Sequence, residues 1–274
     1  MKTLVTVDWL HENFHDKNLV LLDASIQSTA EGKTSIHKSI TIKNARYFDL
    51  KNKFANLTSR FPNTIPTVEQ FELEAKKLGI NRDSKIIVFD NIGSYTSPRV
   101  WWLFKIMGHQ NVAVLNGGLP AWIDKGYETS EKHIEADVRG DFSANFQEEI
   151  LKNYKDILIN VDAEKFTVID ARSKGRFDGI EPEPRKHLQS GRIPNSVNIP
   201  YKDLLTDGEF KSQSELRKIF ETKLASDQEL VFSCGSGLTA CIVMLAGHIA
   251  GYESKNLYDG SWSEWAELQG LTIE

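Results

Sequence analysis

One unit occurs twice along the chain, in the same order and at the same spacing, and this duplication constrains the fold more than any single motif. Leu19-Val20-Leu21-Leu22-Asp23-Ala24 is an apolar run closed by aspartate, and Phe166-Thr167-Val168-Ile169-Asp170-Ala171 repeats it. Ile42-Lys43-Asn44-Ala45 and Ile193-Pro194-Asn195-Ser196 follow, each leading into a short extended segment. The third pair is Lys85-Ile86-Ile87-Val88-Phe89-Asp90 and Glu229-Leu230-Val231-Phe232-Ser233-Cys234. From Asp90 to Gly117 is 27 positions and from Cys234 to Gly260 is 26, and a tryptophan (Trp122, Trp265) stands 5 positions beyond each glycine.

Short Val/Ile/Leu runs with no polar alternation are strands buried on both faces, and buried strands of this kind pair in parallel beneath helices. Helical patterns at Val68 to Leu78 and Ser214 to Leu224 separate them. The expected fold class is therefore α/β, with two tandem domains, each a parallel-stranded sheet flanked by helices on both faces. The first domain is expected over 1–128 and the second over 156–274. Charges rise and strand periodicity fades in Glu131-Lys132-His133-Ile134-Glu135-Ala136-Asp137-Val138-Arg139-Gly140, so 129–155 is expected as a linker.

Composition removes several function classes. Lysine and arginine total 33 against 38 acidic residues, a net charge of −5, and no basic stripe is interleaved with aromatics, so no nucleic-acid partner is expected. The apolar stretch from Ala240 to Gly251 falls short of the roughly 20 residues that span a bilayer, and His248 interrupts it. No membrane partner is expected. Met1-Lys2-Thr3-Leu4-Val5-Thr6-Val7-Asp8 lacks the features of a secretory signal, and two cysteines make no disulfide framework, so the expected location is cytoplasmic.

In such a compartment Cys234 is a candidate reagent. Cys234-Gly235-Ser236-Gly237-Leu238-Thr239 follows a buried strand and opens the apolar helix that begins with Ala240-Cys241. The glycines let successive N–H groups curl around one atom, and the helix start adds partial positive charge. Such a nest stabilises a thiolate or the outer sulfur of a persulfide. Cys241, inside the helix pattern, reads as packing.

Three other motifs are weaker. Gly235-x-Gly237-x-x-Ala240 with Asp259, 24 positions after Gly235, matches a dinucleotide fingerprint, but it lies near the C-terminus and its counterpart after Asp90 is not glycine-rich. A cysteine phosphatase needs arginine six positions after the cysteine, where Ala240 stands. His11-Glu12-Asn13-Phe14-His15 fits a zinc-protease pattern, but Asp16-Lys17-Asn18 is expected to break that helix and no third ligand follows. No metal or cofactor is expected.

The loop Cys234-Gly235-Ser236-Gly237-Leu238-Thr239-Ala240 closely resembles that of the 3-mercaptopyruvate sulfurtransferases, relatives of thiosulfate sulfurtransferase (rhodanese). Ser97-Pro98-Arg99-Val100-Trp101-Trp102, Gly175-Arg176-Phe177, Glu181-Pro182-Glu183-Pro184-Arg185 and Tyr258-Asp259-Gly260-Ser261-Trp262 extend the resemblance over nearly the whole chain as two rhodanese-like domains. It implies an inactive first domain, with Asp90 in the nucleophile's place, and a catalytic second domain. By the same resemblance Cys234 becomes a persulfide, Arg176 and Arg185 hold the donor's carboxylate and keto oxygen, and Gly235, Gly237, Leu238 and Thr239 line the donor. The implied partners are a small-molecule sulfur donor and a thiol acceptor such as thioredoxin or glutathione, or cyanide.

The neutral Gly235 and Ser236 favour mercaptopyruvate, because thiosulfate-selective relatives carry basic residues there, suited to a dianion. Thiosulfate is the alternative donor, and a non-catalytic sulfur carrier the alternative role. Ser236 either donates a hydrogen bond or proton to the reacting carbonyl or caps the helix starting near Thr239. The chain departs from the family at Asn56 and Asn63, where several members have aspartate and histidine; neither asparagine titrates. Arg192 and Asn195, where relatives often have histidine and glycine, are lesser departures.

Overall fold

A computed structural model describes residues 1–224 and 229–272. The chain divides into two compact units, Met1–Asn56 with Ile65–Gln147 and Asp207–Phe210, and Leu57–Thr64 with Glu148–Thr206 and Lys211–Glu274. Each unit is built on a five-stranded parallel sheet. In the first unit the strands are β1 (Leu4–Val5), β2 (Leu19–Asp23), β3 (Arg46–Tyr47), β4 (Lys85–Phe89) and β5 (Val112–Leu115), in the spatial order β1-β5-β4-β2-β3. In the second they are β6 (Leu151–Lys152), β7 (Phe166–Asp170), β8 (Val197–Asn198), β9 (Glu229–Ser233) and β10 (Asn256–Tyr258), in the order β6-β10-β9-β7-β8. Adding five to each number of the first sheet reproduces the second. The central registers agree as well, with Leu22 opposite Val88 and Ile169 opposite Phe232.

Parallel neighbours require crossovers, and helices supply them. In the first unit these are α1 (Val7–Glu12), α2 (Val68–Lys77), α3 (Ser97–Ile106) and α4 (Gly118–Asp124). Successive strand residues point to opposite faces. Leu21, Ile87, Phe89, Ala113 and Leu115 pack with Leu10 of α1 and Leu119 and Trp122 of α4, while buried Val20, Leu22, Ile86, Val88, Val112 and Val114 line the other face, on which α3 lies. The second unit repeats this with α5 (Tyr154–Ala163), α6 (Lys174–Phe177), α7 (Gln213–Glu221), α8 (Ala240–Ala250) and α9 (Ser261–Thr272). Val168, Val231 and Tyr258 meet Ile157 of α5 and Trp262 and Trp265 of α9, and α8 covers the opposite face. Local sequence sets the helix starts: Thr67 caps α2, and Ser212 with Glu215 forms a capping box on α7.

The helix carrying His11 ends at Glu12, before His15, and the His11 ring stacks on Tyr127 at 4.0 Å. Among the described residues no helix is long and apolar enough to cross a membrane.

The stretch 129–155 is docked along its length. Thr129–Ser130 pairs antiparallel with Thr41–Ile42, and the backbone N–H groups of Ile134, Gly140, Phe142, Asn145 and Gln147 donate to Ala45, Lys76, Ile80, Met107 and Ile106. Phe142 is buried among Phe71, Phe104 and His109. Up to Gln147 this strap belongs to the first unit; beyond it come β6 and the capping box of α5 in the second. The charged side chains that suggest a linker in the sequence are the exposed side of an anchored segment. Asn195 has φ +59°, a left-handed conformation that asparagine tolerates best after glycine.

Candidate active site

Strand β9 delivers Cys234 to the carboxyl end of the second sheet, where it is 1% exposed. Five residues later Thr239 is the N-cap of α8. The loop between them is tight: Gly237 has φ +75°, and the Cys234 Sγ accepts the Ser236 N–H at 3.5 Å. A Cβ on Gly235 would lie 3.0 Å from Nη2 of Arg176, so glycine here lets a guanidinium lie against the loop. Leu238 and Thr239 are half-buried, and their carbonyls accept the Cys241 and Ile242 N–H groups of the first helical turn. Cys241 is buried and its thiol donates to the Gly237 carbonyl at 3.4 Å.

Ser236 does not cap α8. Its hydroxyl oxygen accepts from Asn63 Nδ2 at 2.9 Å, and its carbonyl accepts from the same amide at 3.3 Å. Asn63 lies in the segment 57–64 that belongs to the second unit. Since Asn63 donates, the Ser236 hydroxyl keeps its own proton available to a neighbour.

The arginines are held by two buried carboxylates. Arg176 makes a fork to Glu183, Nε to Oε1 at 3.1 Å and Nη2 to Oε2 at 2.6 Å. The same Glu183 Oε1 accepts from Arg172 Nη1 at 2.7 Å, and Arg172 grips Asp170 through Nη2 at 2.6 Å and stands 4.2 Å over the Trp262 ring. Burial pulls the Arg172 guanidinium down, but Asp170 and Glu183 outweigh it and hold the group above its ordinary pKa. Arg185 donates to Ser263 Oγ at 3.0 Å, and Ser263 donates to the Gly235 carbonyl at 2.5 Å. Burial lowers the Arg185 pKa, opposed by the charges of Cys234 and Glu183; an arginine so placed stays cationic. Two guanidiniums therefore share two carboxylates, and a third, Arg185, stands by the cysteine loop with no carboxylate bonded to it among the described residues, which suits an anionic ligand.

The first unit shows what the same turn does with an anion. Asp90 is fully buried, and its Oδ2 accepts from the N–H groups of Tyr95, Thr96 and Ser97 at 2.8, 2.9 and 3.0 Å and from Ser97 Oγ at 2.8 Å, while Oδ1 accepts from Ile92 N–H at 2.9 Å. The strand-to-helix turn is a cradle of donors, and the Asp90 side chain fills it.

The model of the rhodanese-like domain matches residues 6–125 and again 152–268. The chain belongs to the rhodanese-like family. It is 36% identical to 3-mercaptopyruvate sulfurtransferase of Mus musculus, over 96% of this chain and 92% of that protein. Identity to thiosulfate sulfurtransferase of Cricetulus griseus is also 36%, with the same coverage of both chains. The crystal structure of SseA from Escherichia coli, described as a 3-mercaptopyruvate sulfotransferase with the "Rhodanese" fold, superposes with a TM-score of 0.83 at 31% identity, covering 96% of this chain and 99% of that one. These relatives span the chain almost end to end, and the enzyme class is that of the sulfurtransferases. Equal identity to relatives named for two donors leaves the choice of donor to the site.

Within the rhodanese-like frame, sequence reasoning singled out Cys234, Ser236, Arg176, Arg185 and the loop residues, and the structure gathers them around one turn. It missed Glu183, Arg172, Ser261 and Ser263 as working parts. Glu183 was visible in the Glu181-Pro182-Glu183-Pro184-Arg185 run, but its fork is made to Arg176, seven positions upstream, which the run does not announce.

Proposed function

We propose that the protein transfers a sulfane sulfur from 3-mercaptopyruvate, through a persulfide on Cys234, to a thiol such as glutathione or thioredoxin, or to cyanide. The observation that carries this reading is the placement of Arg176 and Arg185 on the backbone of the cysteine loop, one against Gly235 and the other through Ser263.

The Cys234 thiolate attacks the donor's sulfur. The carbon–sulfur bond breaks, its electron pair passes to carbon as the pyruvate enolate, and a proton completes pyruvate. Arg176 and Arg185 offer the carboxylate and keto oxygen the cationic forks they need, and the Ser236 hydroxyl, oriented by Asn63, donates a hydrogen bond where the enolate oxygen gains charge. An acceptor thiolate then attacks the outer sulfur, leaves as a persulfide and restores Cys234; cyanide leaves as thiocyanate. The sulfur atom and its electrons are accounted for without a cofactor. Both cysteines are free thiols, a state maintained in a reducing compartment such as the cytoplasm.

Thiosulfate is the second reading, supported by the equal identity to a thiosulfate sulfurtransferase. Gly235 and Ser236 offer a dianion no cation of their own, so mercaptopyruvate is expected to have the higher kcat/KM. The test is pyruvate release from mercaptopyruvate beside thiocyanate formation from thiosulfate, with wild type and Cys234→Ser. Both activities vanish in the variant if Cys234 is the nucleophile, and undiminished activity in Cys234→Ser would sink the mechanism.

A further inference from the structure

Ser261 is fully buried, and it is a serine with φ +52°, a conformation that side chains other than asparagine and glycine seldom adopt. Its hydroxyl oxygen accepts the Cys234 N–H at 3.1 Å and the Gly237 N–H at 3.0 Å, and the hydroxyl donates to the Tyr258 carbonyl at 2.8 Å. Every hydrogen-bonding site on this side chain is used, and two of the three bonds run to the cysteine loop.

The first unit supplies an internal control. Gly118 stands at the equivalent position with φ +55°. The frames coincide, since the Asp90 carbonyl accepts the Leu119 N–H at 2.9 Å and the Cys234 carbonyl accepts the Trp262 N–H at 2.9 Å. A Cβ on Gly118 would meet the Gly93 and Asp90 carbonyl oxygens at 2.3 and 2.4 Å, so no serine fits there. In that unit the Asp90 carboxylate organises its own loop from inside, through five donors. A thiol cannot do this: Cys234 offers one soft acceptor, and its loop has to be held from outside. Strained residues kept against their conformational preference mark places where the side chain has work to do.

We propose that Ser261 is a positioning residue for sulfur transfer: it clamps the Cys234 and Gly237 N–H groups so that the loop keeps its shape as the sulfur alternates between thiolate and persulfide. Fixing those two amides leaves the Ser236 N–H turned to the sulfur, the bond seen at 3.5 Å. Ser261 touches neither donor arginine by any bond described above, so its effect falls on the chemical step and not on donor capture. The inference rests on Cys234 being the nucleophile.

Ser261→Gly tests it, because it removes the hydroxyl while installing the residue that the first unit uses at this φ; Ser261→Ala removes the hydroxyl alone. The expected result for both is a kcat for pyruvate release lower by about tenfold to a hundredfold, as for a loop displaced by an ångström. KM for mercaptopyruvate should stay within about twofold and persulfide formation in a single turnover should slow in parallel, in assays run well below the transition, since both variants leave the Cys234 and Gly237 N–H groups without this acceptor and lower Tm. Wild-type kcat in Ser261→Gly, a raised KM with unchanged kcat, or a loss of kcat that disappears when rates are normalised to the folded fraction would each overturn the proposal. Cys234→Ser in the same assay separates the two failures: activity there removes the nucleophile, whereas an inactive Cys234→Ser beside a fully active Ser261→Gly removes only Ser261.

Discussion

Replacing Glu183 by glutamine takes away one negative charge and almost no volume, at a residue that is 5% exposed and carries two arginines. The carboxylate accepts three bonds in the native structure, from Arg172 Nη1, Arg176 Nε and Arg176 Nη2, at 2.7, 3.1 and 2.6 Å. An amide has one oxygen. Whichever way it turns, an NH2 group faces a guanidinium N–H, so Arg176, which bonds both oxygens, always loses an acceptor, and Arg172 loses its own as well if the amide oxygen takes the Oε2 place, while Asp170 is left to balance Arg172 and Arg176. Breaking a buried ion pair from one side costs about 3–5 kcal/mol, because a charge is left uncompensated. At about 2–4 °C per kcal/mol for a chain of this class, Tm should fall by roughly 10 °C. Arg176 loses its fork, so KM for mercaptopyruvate should rise at least several-fold in assays run below the transition. Calorimetry and steady-state pyruvate release measure both. A Tm within about 2 °C of wild type and an unchanged KM would refute the reasoning, since Glu183 would then anchor neither arginine.

Asp90→Asn should destabilise the protein by about 2–3 kcal/mol, since its amide must turn a donor toward a backbone N–H, while sulfur transfer per folded molecule at 25 °C stays at wild-type level; an unchanged denaturation midpoint would show that the cradle does not depend on the carboxylate. Asn63→His places an ionising ring at the Ser236 hydroxyl, so the pH profile of kcat should gain an acidic limb near the ordinary histidine range, about pH 6.5; a profile superimposable on wild type would uncouple this position from the reaction. Burial holds the His109 imidazole below its ordinary pKa, with Lys105 acting in the same direction against the Ser84 and Asn111 backbone. The unfolded chain therefore takes up the proton first: this contribution to stability is complete above the unfolded value, about 6.5, and is lost as pH falls through the lower folded one. The urea midpoint should drop between pH 7 and 5 and drop less in His109→Gln; parallel slopes would count against the assignment.

What could be read from the sequence was whatever one segment declares by itself. Apolar runs closed by Asp23 and Asp170 announced β2 and β7, and the glycine-spaced loop announced the turn at Cys234, because strand burial and left-handed φ leave local marks. The role of Asp90 was half visible: an aspartate cannot carry sulfane sulfur, but its bonds to the turn residues had to be seen. Ser236 looked equally like a helix cap until Asn63, 173 positions away, was found bonded to it. Phe142 stayed hidden because the strap around it is charged on its outer side. Ser261 stood in the sequence only as one letter of Tyr258-Asp259-Gly260-Ser261-Trp262, and its bonds to the cysteine loop had to be seen, since φ is not written in a serine.

The exchange of short segments bears on how such a duplicated chain can change. Residues 57–64 count with the second unit and 207–210 with the first. A fragment starting at Glu148 would contain Cys234, Arg176 and Arg185 but not Asn63, so the Ser236 hydroxyl would lose the amide that orients it. The first copy, which holds a carboxylate where the second holds a thiol, therefore also carries a residue that the second unit's loop uses. By lending residues across the repeat, the chain makes a cut between its sequence copies different from a cut between its folded units.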